Sequence, residues 1–418
     1  MPQQMDTEMF SIRHATLPGR PGHWCVTVAG ERIAAVESED GPVAPADHTW
    51  HADGRLVSIG FIDPHVHLDK ALSSDRIGHG GAAASLDAAI RAVRTVKASF
   101  TEEDVAHRAM RALRMGLAHG TTTARSHAEV DRFVARRALD GLQAAAAQLR
   151  GQVDLQLIAF AQEGWFETPG ALEDGAGRWI ADAVAAGGIT AIGGNVNRAL
   201  WPSDPERQVD EAFALAVRHG CDIDHHLDNW DGAEAFTLPY LAHQTIAHGW
   251  QGRVTVSHIA SLALVPDAQA ADTIDLVRKA GVNVCVLPTR MRLTRVHELM
   301  EAGVNVVCGT DNLRDPFVRF GDADPLKALL LLAQITGQLS DARLERLWPL
   351  VTTNAARALR LPDRVLAAGG LADLVVLDAR SVPQAVLEQS ARLAVFKRGR
   401  QVAGAVRVAP PPAAAVAA

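Results

Sequence analysis

From residue 56 onward, short apolar runs alternate with longer, Ala-rich stretches of helical spacing. That alternation is the pattern of successive βα units around a parallel sheet. The first run, Leu56-Val-Ser-Ile-Gly-Phe-Ile62, has the near-continuous apolar character of a strand buried on both faces. Seven more candidate strands follow, over residues 121–126, 154–161, 189–193, 222–226, 253–257, 282–287 and 304–309. One intervening helix carries all its punctuation. Thr101-Glu-Glu-Asp104 opens it as a capping box, Ala106, Met110, Leu113 and Leu117 give it an apolar face, and Gly120 closes it. Eight such units predict an α/β fold of the (β/α)8, TIM-like barrel class. No glycine-rich dinucleotide turn follows the first strand, which argues against an open doubly wound sheet.

The two ends read differently. Residues 9–55 contain Trp24-Cys-Val-Thr-Val28 and Arg32-Ile-Ala-Ala-Val36, and residues 371–408 contain Leu374-Val-Val-Leu377 and Leu393-Ala-Val-Phe396. Neither end is long enough to bury a core alone, so the two are expected to pair into one small β-sandwich. The expected division is residues 1–55 and 361–408 for the sandwich, 56–360 for the barrel, and 409–418, Pro-rich then Ala-rich, for a disordered tail.

Size and charge narrow the function. At 418 residues and 44.6 kDa the chain has ample material to enclose a site. Its net charge is -7, both signs are interspersed, and no basic run resembles a nucleic-acid patch. The start lacks a basic segment leading into an apolar core, and no apolar stretch is long enough to span a bilayer. Neither nucleic acid nor membrane is an expected partner, and a cytoplasmic location is. Cys25, Cys221, Cys285 and Cys308 are scattered, as suits buried thiols rather than disulfides or a zinc knuckle.

Candidate chemistry gathers at the strand ends. His65 and His67 straddle one residue just past the first run, and strand alternation points both imidazoles the same way. The fifth strand ends Ile223-Asp-His-His-Leu-Asp-Asn229, the sixth Val256-Ser-His258 and the eighth Gly309-Thr-Asp-Asn312. Seventeen histidines will produce some His-x-His spacing by chance. Five ionisable groups at one barrel rim are harder to explain as packing, because burying them is costly unless they are paired or metal-bound.

These motifs resemble the metal-site signature of the amidohydrolase superfamily, and within it the cytosine deaminase branch. The local matches are His65-Val-His-Leu-Asp69, Ala124-Arg-Ser-His127, Leu157-Ile-Ala-Phe-Ala-Gln-Glu-Gly164, Ile223-Asp-x-His226, Val254-Thr-Val-Ser-His258 and Asp311-Asn-x-x-Asp-Pro-Phe317. The resemblance implies one divalent metal ion, zinc or iron, held by His65, His67, His226 and Asp311. Of the neighbours His225 and His226, alternation lets only one face the barrel mouth, and the family pattern favours His226. By the same resemblance His258 contacts the metal's water or the substrate, Gln162 hydrogen-bonds the substrate ring, and His258 and Asp311 are catalytic. Residues 189–197 contain no lysine of the kind that bridges two metals. The implied activity is hydrolysis of an exocyclic C–N bond of a small nitrogen heterocycle, releasing ammonia or an alkylamine.

Two departures from that pattern matter. Asn229 stands where cytosine deaminases have a proton-shuttling glutamate, and an amide has no proton to give at neutral pH. Asp228 is adjacent, but alternation aims it elsewhere. Lys70, one of only five lysines, falls inside the first motif. Together with Asn229 and Asn312 it is similar to amidohydrolases that remove an alkylamine from an s-triazine, so Lys70, Gln162, Asn229, Asn312 and Phe317 are the expected substrate contacts. An ammonium there would favour an oxo-substituted pyrimidine or triazine. Trp165 and Phe317 suit either a stacking wall or loop packing. The alternatives are a cyclic-amide hydrolase of the dihydroorotase or hydantoinase kind, and a catalytically silent metal-binding relative. The resemblance is also compatible with a homo-oligomer.

Overall fold

The computed structural model describes residues 9–77, 86–166, 175–198, 205–229, 236–289 and 292–408. Five strands come first: β1 (Met9–Leu17), β2 (Arg20–Ala29), β3 (Arg32–Ser38), β4 (His48–His51) and β5 (Leu56–Ile59). Eight follow that alternate with helices: β6 (Phe61–Val66), β7 (Thr121–Glu129), β8 (Asp154–Ala161), β9 (Ala191–Val196), β10 (Asp222–Leu227), β11 (Val254–His258), β12 (Asn283–Val286) and β13 (Val306–Cys308). Three close the chain: β14 (Leu374–Leu377), β15 (Arg392–Lys397) and β16 (Arg400–Ala403).

Strands β6 to β13 are parallel and lie in chain order, each beside the next. The sheet is nearly closed into a TIM-like barrel. At the seam, Val66 bridges Asp311, and the Asp311 amide donates to His65 O at 2.9 Å. Closing the sheet therefore brings the last strand's aspartate against the first strand's histidines. The helices cover the outside through apolar faces. In Glu102–Ala118, the Thr101 hydroxyl accepts from Asp104 N at 3.1 Å, Ala106, Leu113 and Leu117 are buried, and Gly120 turns the chain at φ +92°. Met110, expected on that face, is only partly buried.

The remaining strands form a separate mixed sheet from both chain ends, in the order β16-β15-β14-β5-β1-β2-β3 with β4 beside β1. Its two halves enclose one core of Ile12, Val26, Val57, Leu374 and Phe396, with Phe10 stacked on Phe396 at 5.4 Å. The apolar run of residues 56–62, expected as one barrel strand, is split between the two bodies. Leu56–Ile59 pairs antiparallel with β14, and only from Phe61 does the chain enter the barrel. Hydrophobicity cannot mark that hand-over, because both halves are buried. Gly60 can: a Cβ there would lie 2.3 Å from Thr122 Cγ2, so the crossing requires glycine. Lys397 ties the two bodies together, its buried ammonium 2.7 Å from both Asp154 and Asp373.

Among the described residues no helix is long and apolar enough to cross a membrane. None of the four cysteines is in a disulfide.

Candidate active site

Each strand that supplies a candidate residue does so at its C-terminal end, where a parallel barrel opens to its ligand. His65 lies on β6 and His67 just beyond it, His226 on β10, His258 at the end of β11 and Asp311 just past β13. All five are buried. The backbone is bent to put them there: His258 and Asp311 have φ of +72° and +62°, a left-handed conformation uncommon outside glycine. Gly309 leaves room for His65, since a Cβ at that position would fall 2.7 Å from His65 Cβ.

Four ligand atoms face one another. His67 Nε2 is 3.1 Å from His226 Nε2, and Asp311 Oδ1 is 3.5 Å from both His65 Nε2 and His67 Nε2. Ligands held at ordinary zinc distances by a tetrahedral ion lie about 3.3–3.5 Å apart, so the spacing fits a single small cation. The second nitrogen of each first-strand histidine is already engaged. Ser257 Oγ lies 2.9 Å from His65 Nδ1, and Lys70 Nζ lies 3.1 Å from His67 Nδ1. His65 Nε2, in contrast, has no hydrogen-bond partner among the described residues, a costly state for a buried nitrogen unless it is a ligand. Burial, and then neighbouring positive charge, holds His67 and His226 well below the ordinary histidine pKa and keeps their lone pairs available. Thr289 Oγ1 donates to Asp311 Oδ2 at 3.0 Å, which fixes the carboxylate and turns Oδ1 to the histidines. The chemistry of the donor set therefore suits zinc or iron.

The other expected residues surround this point in different ways. His258 lies with its ring 4.9 Å from that of His226. Gln162, Asn229 and Asn312 are buried and Phe317 is half-buried. Asn312 donates to Asp315 Oδ2 at 2.7 Å, and Asp315 in turn accepts from the Phe317 and Val318 amides. That knot holds the loop carrying Phe317. Trp165 is buried in the core and donates its indole N–H to Gly193 O at 3.3 Å, which is loop packing rather than a stacking wall. His225 points away from the four ligand atoms, with Nδ1 3.2 Å from Gly194 O. Asp228 is spent on structure, accepting from the Thr237 and Leu238 amides.

Lys70 is placed differently from a free substrate contact. It is buried, with Nζ 2.8 Å from Glu129 Oε1, 3.2 Å from Asp69 Oδ1 and 3.1 Å from His67 Nδ1. Asp69 and Glu129 can take two of its three protons, whereas His67 Nδ1 carries the ring proton whenever Nε2 is a ligand and then cannot accept the third. Burial opposes the charge, but Asp69 and Glu129 outweigh it and raise the Lys70 pKa. Glu129 also binds Lys97 at 2.7 Å, so two buried ammoniums share one carboxylate behind the histidines.

Sequence reasoning missed one imidazole. His127, on β7, is fully buried with its ring centroid 4.1 Å from that of His65 and 5.0 Å from that of His67. Asp224 Oδ1 lies 3.4 Å from its Nε2, and Arg125 lies 3.4 Å from the other oxygen of Asp224. Burial first of all lowers the His127 pKa to about 4. The signal was available, since His127 ends a quoted motif at the close of the second barrel strand.

This constellation has known counterparts. A model of the amidohydrolase family matches residues 197–403. N-isopropylammelide isopropyl amidohydrolase of Pseudomonas sp. (strain ADP) is 31% identical over 396 residues, covering 93% of this chain and 96% of that protein. The chain belongs to the amidohydrolase family. It is accordingly a hydrolase of carbon–nitrogen bonds other than peptide bonds, in a family that depends on metal. A pterin deaminase of Rhizobium rhizogenes is also 31% identical, over 90% of this chain and 83% of its own length. The crystal structure of 5-methylcytosine deaminase from Klebsiella pneumoniae, liganded with phosphonocytosine, superimposes with a TM-score of 0.86 at 28% identity. It covers 96% of this amidohydrolase chain and is itself covered completely.

Proposed function

We propose that this amidohydrolase hydrolyses an exocyclic C–N bond of an oxo-substituted pyrimidine or s-triazine and releases ammonia or an alkylamine. The observation that carries the reading is the three separations of 3.1–3.5 Å that link His65 Nε2, His67 Nε2, His226 Nε2 and Asp311 Oδ1, close to those between one cation's ligands. The names of the relatives, N-isopropylammelide isopropyl amidohydrolase, pterin deaminase and 5-methylcytosine deaminase, support the substrate class.

The four ligand residues would hold one zinc or iron ion, which when bound supplies Lewis-acid chemistry that brings the pKa of water towards neutrality. The Asp311 carboxylate, through the oxygen not given to the ion, takes the proton of the attacking water as the water's oxygen bonds to the ring carbon. His258, beside His226, stabilises the charge that develops on the adduct. The C–N bond then breaks, and the proton held by Asp311 passes to the leaving nitrogen, so the products are an oxo-substituted ring and a neutral amine. Asn229 cannot take part in that transfer, which leaves Asp311 and His258 to carry it. Gln162, Asn229 and Asn312 offer hydrogen bonds to ring atoms, and Phe317 a flat apolar face. Lys70, anchored on Asp69 and Glu129 beside His67, has its third proton for a ring oxo group.

A panel of amino- and alkylamino-substituted pyrimidines and s-triazines, scored for released ammonia or alkylamine, tests the reading. Turnover with amine release is expected. Ring opening without amine release would point to the cyclic-amide chemistry instead, and no turnover on any of them would overturn the substrate class.

A further inference from the structure

The barrel mouth holds more imidazoles than one cation needs. His65, His67, His127, His226 and His258 are all buried there, and their ring nitrogens fall into two overlapping groups within 4.8 Å: His65, His67 and His127, and His65, His226 and His258. The ligand set above uses His65, His67 and His226 with Asp311. His127 lies outside it: its Nε2 faces Asp224 Oδ1 at 3.4 Å, while its Nδ1 makes no hydrogen bond among the described residues. A ring nitrogen buried inside a barrel without a hydrogen bond is costly unless it has another use.

We propose that His65, His67 and His127 form a second, inner position for a divalent cation, alternative to the outer one rather than filled together with it. The proposal rests on the outer site of the preceding section, because it shares two of its ligands. His65 and His67 each have one nitrogen occupied, by Ser257 and by Lys70, so each can offer only Nε2 and can serve only one position at a time. Three imidazoles without a carboxylate suit zinc, cobalt or iron and disfavour magnesium or calcium. Countercharge is at hand: Asp224 Oδ1 lies 3.4 Å from His127 Nε2, as a carboxylate backs a ligating histidine in many metal sites. Arg125, paired with Gln156 and Asp224, holds that carboxylate in place. The outer set already has pairs at ligand spacing and includes a carboxylate, so the outer position is the preferred one and the inner one a reserve.

The test removes the ligands that belong to the outer position alone. His226→Gln/Asp311→Asn keeps His65, His67 and His127, and the same protein with His127→Phe added loses the third imidazole. Both are stripped with a chelator, reloaded with cobalt(II), desalted, and measured for cobalt per chain and for the visible absorption of the bound ion. The proposal predicts about one cobalt per chain in the first variant and little in the second. It is overturned if the first is folded but empty, or if the second holds as much as the first. Should circular dichroism show these variants to be poorly folded, His226→Gln with and without His127→Phe gives the same comparison. There an affinity loss of about tenfold or more on adding His127→Phe supports the inner position, and no change overturns it. Wild-type protein measured alongside separates the two readings. Metal-free wild type defeats the outer site itself, whereas a loaded wild type beside an empty His226→Gln/Asp311→Asn protein defeats only the inner one.

Discussion

Lys70 Nζ lies 3.1 Å from His67 Nδ1, so a buried ammonium stands behind a candidate metal ligand where a carboxylate or carbonyl more often does. Asp69 and Glu129 flank the same ammonium and supply the negative charge that a ligating histidine usually finds directly. Orientation of His67 is thereby tied to a chain of charges that runs from Lys70 through Glu129 to Lys97.

Replacing Lys70 by Met leaves Asp69 and Glu129 short of a buried partner. A loss of about 3–5 kcal/mol of stability is expected, read from urea unfolding of the purified variant. Lys70→Met/Glu129→Gln, which also removes one orphaned charge, should lose less than the two single changes added together. Full additivity would show that the chain of charges is not energetically connected. Removing a positive charge 3.1 Å from the His67 ring should raise metal affinity, and unchanged affinity would detach Lys70 from His67.

Ser257→Ala removes the hydroxyl 2.9 Å from His65 Nδ1 and touches nothing else of the ligand set. Metal affinity should drop by about 10–100-fold, measured by competition with a chromophoric chelator, while the circular dichroism spectrum stays that of wild type. An unchanged affinity would mean that the Ser257 contact does not orient the ring.

Acid should destabilise the fold through His225 as well as through the site. Burial holds its pKa at about 4, below the value near 6.5 expected in the unfolded chain. Between those values the unfolded state binds the proton and the folded state does not. His225 therefore contributes stability that is complete above pH 6.5 and is lost as pH falls towards 4, up to about 3 kcal/mol. Replacing it by Leu should flatten the fall of Tm between pH 7 and pH 4.5, and an unaltered slope would assign the acid sensitivity to other groups.

Much of this was legible in the residues themselves. Period and punctuation identify the eight barrel units, and the helix opened by Thr101 starts where its capping residues require. His65, His67, His226 and Asp311 are drawn together because each falls at the end of its strand, which is a property of sequence position. What stays hidden is three-dimensional. The hand-over at Gly60 lies inside one unbroken apolar run, and only the clash with Thr122 shows it. His127 lies one residue beyond the expected end of its strand, and β7 runs on to Glu129. Partners of Lys70 come from Asp69 next door and from Glu129, 59 positions on, and no spacing rule links the second.

The most direct test of the cation-assembled site is metal content measured together with turnover. Purified protein is assayed on the heterocycle panel as prepared, after a chelator, and after zinc or iron is returned. The account predicts about one ion per chain, loss of amine release on stripping, and recovery on reloading, with Asp311→Asn inactive throughout. Metal-free protein whose turnover ignores both the chelator and the added ion would contradict it.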